Sequence, residues 1–129
     1  MNALIIDDSR AMRRILRQIV EPLGFQVTEA GNGLEGLARL DELDGVEVVL
    51  VDWNMPEMNG LEFMQAVRMH VDHQHMKLVM VTTETEPTKM ARALMAGVAE
   101  FVRKPFMPDI LISKLKLIGV RSETAEAVA

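Results

Sequence analysis

The sequence predicts an α/β fold: a doubly wound, five-stranded parallel sheet in the order 2-1-3-4-5 with helices on both faces. Short apolar runs of strand length alternate with longer amphipathic stretches, the pattern of successive βα units. Leu4-Ile5-Ile6, Val48-Val49-Leu50-Val51 and Leu78-Val79-Met80-Val81 are continuously apolar, as strands covered on both faces are. Phe25-Gln26-Val27-Thr28 and Glu100-Phe101-Val102-Arg103 alternate, which makes the second and fifth strands the edges. Right-handed crossovers between neighbours then leave 2-1-3-4-5 as the economical order, with the winding reversing between strands one and three. Ligands of such sheets bind at the carboxyl ends of the strands beside that reversal.

Strands are expected near residues 3–7, 26–30, 47–52, 77–82 and 100–104. The first helix places Met12, Ile15, Leu16 and Ile19 on one face, with Ser9 as its N-cap and Arg13, Arg14 and Arg17 turned to water. Pro22-Leu23-Gly24 ends it. Gly31-Asn32-Gly33 reads as a tight turn into the second helix, where glycine permits positive φ. Pro87 and Pro108 stand where first helical turns begin. The stretch holding His70, His73 and His75 reads as a solvated loop before strand four. Residues 1–121 form one domain, and 122–129 are expected to fray.

A chain of 129 residues holds a single core. Fourteen basic against nineteen acidic residues give a net charge of -5, which argues against general electrostatic binding to nucleic acid or an anionic membrane. Without cysteine there are no disulfides, thiolate metal sites or cysteine nucleophiles. Residues 1–6 lack a basic flank and run into Asp7-Asp8, and no apolar run approaches the roughly 18 residues of a membrane span. A cytoplasmic protein is expected.

The strands end in chemistry: Asp7-Asp8 after the first, Asp52 after the third, Thr82-Thr83 after the fourth, Lys104-Pro105 after the fifth. The topology brings these ends together. Three carboxylates so placed repel one another unless a cation lies between them, and a hard divalent ion such as magnesium takes oxygen ligands. Lys104 adds a mobile positive charge and Thr82 a hydroxyl donor. Together they describe phosphoryl transfer to an aspartate, with Asp52 as nucleophile and Asp7 and Asp8 as metal holders. Gly31-Asn32-Gly33-Leu34-Glu35-Gly36 satisfies G-x-G-x-x-G, but it follows an edge strand and lacks the acidic residue about 20 positions on that dinucleotide sites need. Among the histidines, only His70 and His73 share a helix-like face, with no carboxylate in evident ligand geometry. Met55, Met58 and Met107 fall near the active edge as an adaptable contact surface.

Over residues 4–118 the chain resembles the receiver domains of two-component signalling. Asp7-Asp8, Asp52-Trp53-Asn54-Met55-Pro56 with Gly60, Thr82 and Lys104-Pro105-Phe106 match that family in order and spacing. The Asp52 stretch and Met12-Arg13-Arg14 are most similar to its chemotaxis-type, CheY-like single-domain members, whose flavodoxin-like sheet is known to have the order 2-1-3-4-5.

The resemblance implies that a histidine kinase phosphorylates Asp52, with Asp7, Asp8, Asp52 and the backbone carbonyl of Asn54 around Mg2+ and Lys104 on the phosphoryl group. It implies a cis Lys104–Pro105 bond. Thr82 and Phe101 would form the switch, Asn54 and Glu84 would flank the attacking water and tune dephosphorylation, and the face of helix 4, strand 5 and helix 5 would bind a downstream protein. Such a chain is a phosphoacceptor switch that catalyses only its own phosphorylation and dephosphorylation. It is expected to be monomeric and to contact neither nucleic acid nor the membrane interior. Phe101 stands where chemotaxis members have tyrosine, Thr83 replaces a small residue, and Glu86-Pro87-Thr88-Lys89 is less basic than usual. A phosphorelay intermediate or another single-domain regulator is the alternative in the same class. A haloacid dehalogenase-type phosphatase would need an acid where Asn54 stands, and a pseudo-receiver would not need the complete Asp, Thr and Lys set.

Overall fold

The computed structural model describes residues 1–120. Strands β1 (Asn2–Ile6), β2 (Gln26–Ala30), β3 (Val48–Val51), β4 (Lys77–Thr82) and β5 (Glu100–Arg103) alternate with helices α1 (Arg10–Val20), α2 (Gly33–Glu42), α3 (Gly60–Arg68), α4 (Pro87–Met95) and α5 (Pro108–Leu117). All pairings are parallel, in the order β2-β1-β3-β4-β5. The burial that suggested this order is present: β3 is buried throughout, whereas β2 and β5 each bury one residue fully. The tail expected to fray, 122–129, lies outside the described residues.

Because side chains alternate across a strand, each central strand feeds two cores. Leu4, Ile6, Val49, Val51, Leu78 and Met80 pack on one face with Leu40 of α2, Phe63, Met64 and Val67 of α3 and Ala93 of α4. Ala3, Ile5, Val48, Leu50, Val79 and Val81 pack on the other with Leu16, Ile19 and Val20 of α1 and Leu111 and Leu115 of α5. The helix starts are capped as their sequence dictates: Ser9 Oγ accepts from Met12 N–H, and Asn59 and Glu62 form a reciprocal capping box at α3. Pro87 and Pro108 open α4 and α5.

Three expectations change. Ile15 is 45% exposed, so the apolar face of α1 is narrower than its periodicity suggests. Arg13 and Arg17 do not point into water: their Nε atoms donate to the two carboxylate oxygens of Glu29 on β2, at 2.9 and 2.7 Å. Helical periodicity could not show an acid on a neighbouring strand. None of Gly31, Gly33 and Gly36 after β2 has positive φ, which occurs at Glu57 and at glycines elsewhere; Gly33 and Gly36 instead serve close approach. A Cβ on Gly33 would lie 2.9 Å from the Met58 carbonyl oxygen, and one on Gly36 would strike Ile6 and Phe63. The loop after β3 and the sheet both press on α2 there.

Burial by itself raises the Glu29 pKa, but hydrogen bonds and charge from Arg17 and Arg13 outweigh it and hold the carboxyl below its usual 4.5. A depressed carboxylate stabilises the fold above its unfolded pKa and loses that contribution as pH falls through the folded value. The melting temperature of Glu29→Gln is therefore expected to fall below wild type by an amount worth about 1 kcal/mol above pH 4.5. That gap closes in more acidic buffer; a gap independent of pH would show that the ion pairs contribute nothing.

Candidate functional site

Each functional backbone position extends the sheet by one rung past the end of its strand. Asp7 N–H donates to Ala30 O at 3.1 Å, Asp52 N–H to Ile6 O at 3.0 Å and Lys104 N–H to Thr82 O at 3.0 Å. The site residues thus inherit the register of the buried strands, which gives them a fixed spacing. Thr82 is itself the last residue of β4 and is 3% exposed.

Asp7 is 1% and Asp52 9% exposed, whereas Asp8 opens to solvent. One oxygen of each buried carboxylate is held by backbone: Ser9 N–H donates to Asp7 Oδ1 at 2.9 Å and Trp53 N–H to Asp52 Oδ1 at 2.7 Å. The other oxygens meet at Lys104, whose Nζ lies 2.7 Å from Asp7 Oδ2 and 3.2 Å from Asp52 Oδ2. Burial lowers the Lys104 pKa, yet the bond to Asp7 and the charges of Asp52 and Asp7 outweigh it and hold the amine above its usual value. Each such charge pair is worth about 4 kcal/mol at an effective dielectric near 20, so two attractions to Lys104 offset one repulsion of similar size between the carboxylates. The neutralising cation that the sequence reading sought in a metal is supplied in part by the lysine.

One oxygen each from Asp7, Asp8 and Asp52 lie within 4.8 Å of one another, and among the described residues this is the one group of three or more metal-ligating side chains that converges so. An all-oxygen, partly exposed set of this kind can hold a hard cation and leaves coordination positions open to solvent.

The surrounding loops hold the remaining candidates. The Lys104–Pro105 peptide is cis. Asn54 is exposed on the loop after β3, which turns sharply because Gly60 N–H donates to Trp53 O at 2.9 Å. A Cβ at Gly60 would collide with the Asp52 carbonyl oxygen. Glu84 N–H donates to Thr82 Oγ at 3.2 Å, and the Glu84 carboxylate accepts from Lys89 at 2.8 Å while Lys89 Nζ lies 5.9 Å above the Trp53 ring. Lys89 was not singled out from sequence: its ion pairs to Glu84 and Glu86 are local, but its approach to Trp53 on the loop after β3 is not. Half-buried Phe101 lines a cavity of about 250 Å³ together with Thr82, Glu84 and Met90.

Other candidates separate from this edge. His70, His73 and His75 line a different cavity with Asp41, Asp44 and Asp72. Carboxylates line the same cavity, but among the described residues their donor atoms do not converge with the histidines into a metal group. Met55 and Met58 pack against the core, so of the three methionines near the site only Met107 is a fully exposed contact residue.

Residues 3–116 match the response regulator receiver domain family. The chain belongs to that family. The receiver is 40% identical to chemotaxis protein CheY1 of Helicobacter pylori over 119 residues, covering 92% of this chain and 96% of that protein. It is 43% identical to a CheY homologue of Campylobacter jejuni over 117 residues, 90% of each. Among solved structures, CheY4 of Vibrio cholerae superposes with a TM-score of 0.84 at 33% identity, over 91% of this chain and 97% of that one. Receivers of this kind are signalling switches and not classical enzymes. Among the described residues no helix is long and apolar enough to cross a membrane.

Removing the receiver's lysine leaves its carboxylates uncompensated. Lys104→Met is expected to melt below wild type in chelator, and to gain more from an added divalent cation than wild type does, because cation and ammonium neutralise the same charges. Equal gains would take Lys104 out of that role. Gly60→Ala is expected to cost about 1–3 kcal/mol in chemical denaturation through forced displacement of the Asp52 backbone; an unchanged midpoint would show that the turn relaxes freely.

Proposed function

We propose that the chain is a CheY-like phosphoacceptor switch of chemotaxis signalling, phosphorylated on Asp52 by a histidine kinase in a Mg2+-dependent reaction. The observation that carries this reading is the Asp52 carboxylate, with one oxygen fixed by Trp53 N–H and the other directed to Lys104, beside the convergent oxygens of Asp7 and Asp8. Asp52 Oδ2 attacks the phosphorus of a phosphohistidine; an O–P bond forms, the N–P bond breaks, and the imidazole leaves with the electron pair. Asp7, Asp8, Asp52 and the Asn54 carbonyl would hold Mg2+, which would supply charge neutralisation for the phosphoryl oxygens. Lys104 exchanges a carboxylate oxygen for a phosphoryl oxygen as the negative charge moves. Thr82 donates its hydroxyl to the same group, releasing its tie to Glu84 N–H.

That release transmits the event. Loss of the Thr82 tie frees the loop into α4, and Phe101 enters the cavity it already lines. The face of α4, β5 and α5, where Leu94, Ile110 and Leu117 are exposed, then changes shape for a downstream protein. Asn54 and Glu84 set the lifetime of the phosphorylated state. The chain acts as a cytoplasmic monomer, with residues 1–121 as the functional unit. A haloacid dehalogenase-type phosphatase is not favoured, because Asn54 has no acid proton to give a leaving group.

Wild-type protein is expected to gain one hydroxylamine-labile phosphoryl group from a phosphorylated kinase domain with Mg2+, and Asp52→Asn none, by intact-mass spectrometry. Phosphorylation of Asp52→Asn at the wild-type rate would overturn the assignment. The same samples are expected to leave p-nitrophenyl phosphate unhydrolysed; sustained turnover would favour the phosphatase.

A further inference from the structure

We infer that Arg13 is a positioning residue for the metal-holding carboxylates: its guanidinium fixes the Asp7–Asp8 peptide and so the direction in which Asp8 leaves the chain. The inference rests on the proposed Mg2+-dependent phosphoacceptor function. Among the described residues Asp8 makes no side-chain hydrogen bond or ion pair, so its place near the site depends on its backbone. That backbone is held from both sides. Asp7 N–H donates to Ala30 O at the end of β2, and Arg13 Nη1 donates to Asp7 O at 2.6 Å.

The Asp7 carbonyl belongs to the same planar peptide as the Asp8 N–H, so fixing one sets the orientation of the other. Arg13 reaches it from the first turn of α1, 18% exposed, with Nε on Glu29 Oε1 at 2.9 Å. Glu29 is in turn shared with Arg17 at 2.7 Å. The guanidinium thus spans two acceptors at once, a planar fork that a lysine cannot reproduce. The arrangement ties the metal-holding loop to the edge strand without using any carboxylate oxygen that would hold the ion.

Positioning and simple electrostatics predict opposite signs. Removing a cation beside an acidic cluster would by charge alone tighten Mg2+ binding. Removing a support for one ligand loosens it, because the free loop must be ordered on binding.

The test titrates Mg2+ into metal-free full-length protein, followed by Trp53 fluorescence, for wild type, Arg13→Met, Arg13→Lys and Arg17→Met. Both Arg13 variants are expected to raise the Mg2+ Kd by about tenfold, the lower end for outer-shell partners. In metal-free samples they are expected to exchange the Asp7 amide hydrogen, bonded to Ala30 O, faster by NMR. Arg17→Met breaks an ion pair to the same Glu29 without touching the loop; it is expected to lower the melting temperature while leaving the Kd and the Asp7 exchange unchanged.

A Kd for Arg13→Met equal to or below wild type overturns the inference, as does restoration of wild-type Kd by Arg13→Lys. Wild type that binds no Mg2+ overturns both this inference and the function it rests on. Wild type that binds Mg2+ but shows no further change with beryllofluoride fails the phosphoacceptor reading alone, and the Arg13 comparison still decides the positioning role.

Discussion

The mutual repulsion of three carboxylates at one edge of a buried sheet is the constraint on which the rest of this structure depends. Asp7 and Asp52 are almost fully enclosed, and a buried charge without a partner costs several kcal/mol. Lys104 satisfies both, and in doing so links the carboxyl end of β5 to those of β1 and β3, across the intervening β4. The contact that makes the site tolerable is therefore also a tertiary crosslink. A change in charge at Asp52 must alter it, which gives the site a direct mechanical connection to the edge strand.

Rigidity comes from the layers beneath. β1, β3 and β4 carry side chains into cores on both faces, and the site positions are bonded to their neighbours one rung past the strand ends. The parts that can move are arranged around them. Thr82 is tied to the Glu84 amide, Glu84 to Lys89, and Lys89 lies over Trp53 beside Asp52. These are partly exposed hydrogen bonds and ion pairs of modest strength, the kind that exchange partners without disturbing a core.

The opposite flank is built differently. On the α1 and β2 side, Glu29 gathers Arg13 and Arg17, and Arg13 continues to the Asp7 carbonyl. This network joins edge strand β2 to the acidic loop through its backbone, whereas edge strand β5 reaches the same loop through the Lys104 ammonium, beside a cavity bordered by Thr82 and Phe101. Both edge strands are thus tied to the acidic loop, and the cavity beside Thr82 and Phe101 leaves room for rearrangement on the β5 side.

By itself the sequence determined the fold class, the strand order and which strand-end residues the sheet brings together. Continuous versus alternating apolar runs report how many faces of a strand are covered, and strand-end residues must converge once the order is known. The tertiary structure decided what lies across a gap between elements. Periodicity along α1 sends Arg13 and Arg17 to water, because it contains no term for Glu29 on β2. The same blindness hid the approach of Lys89 to Trp53 and the close approaches that require Gly33 and Gly36. Lys104 was legible as a site residue but not as the counter-ion of Asp7 and Asp52, since that role depends on distances set by three strands packed side by side.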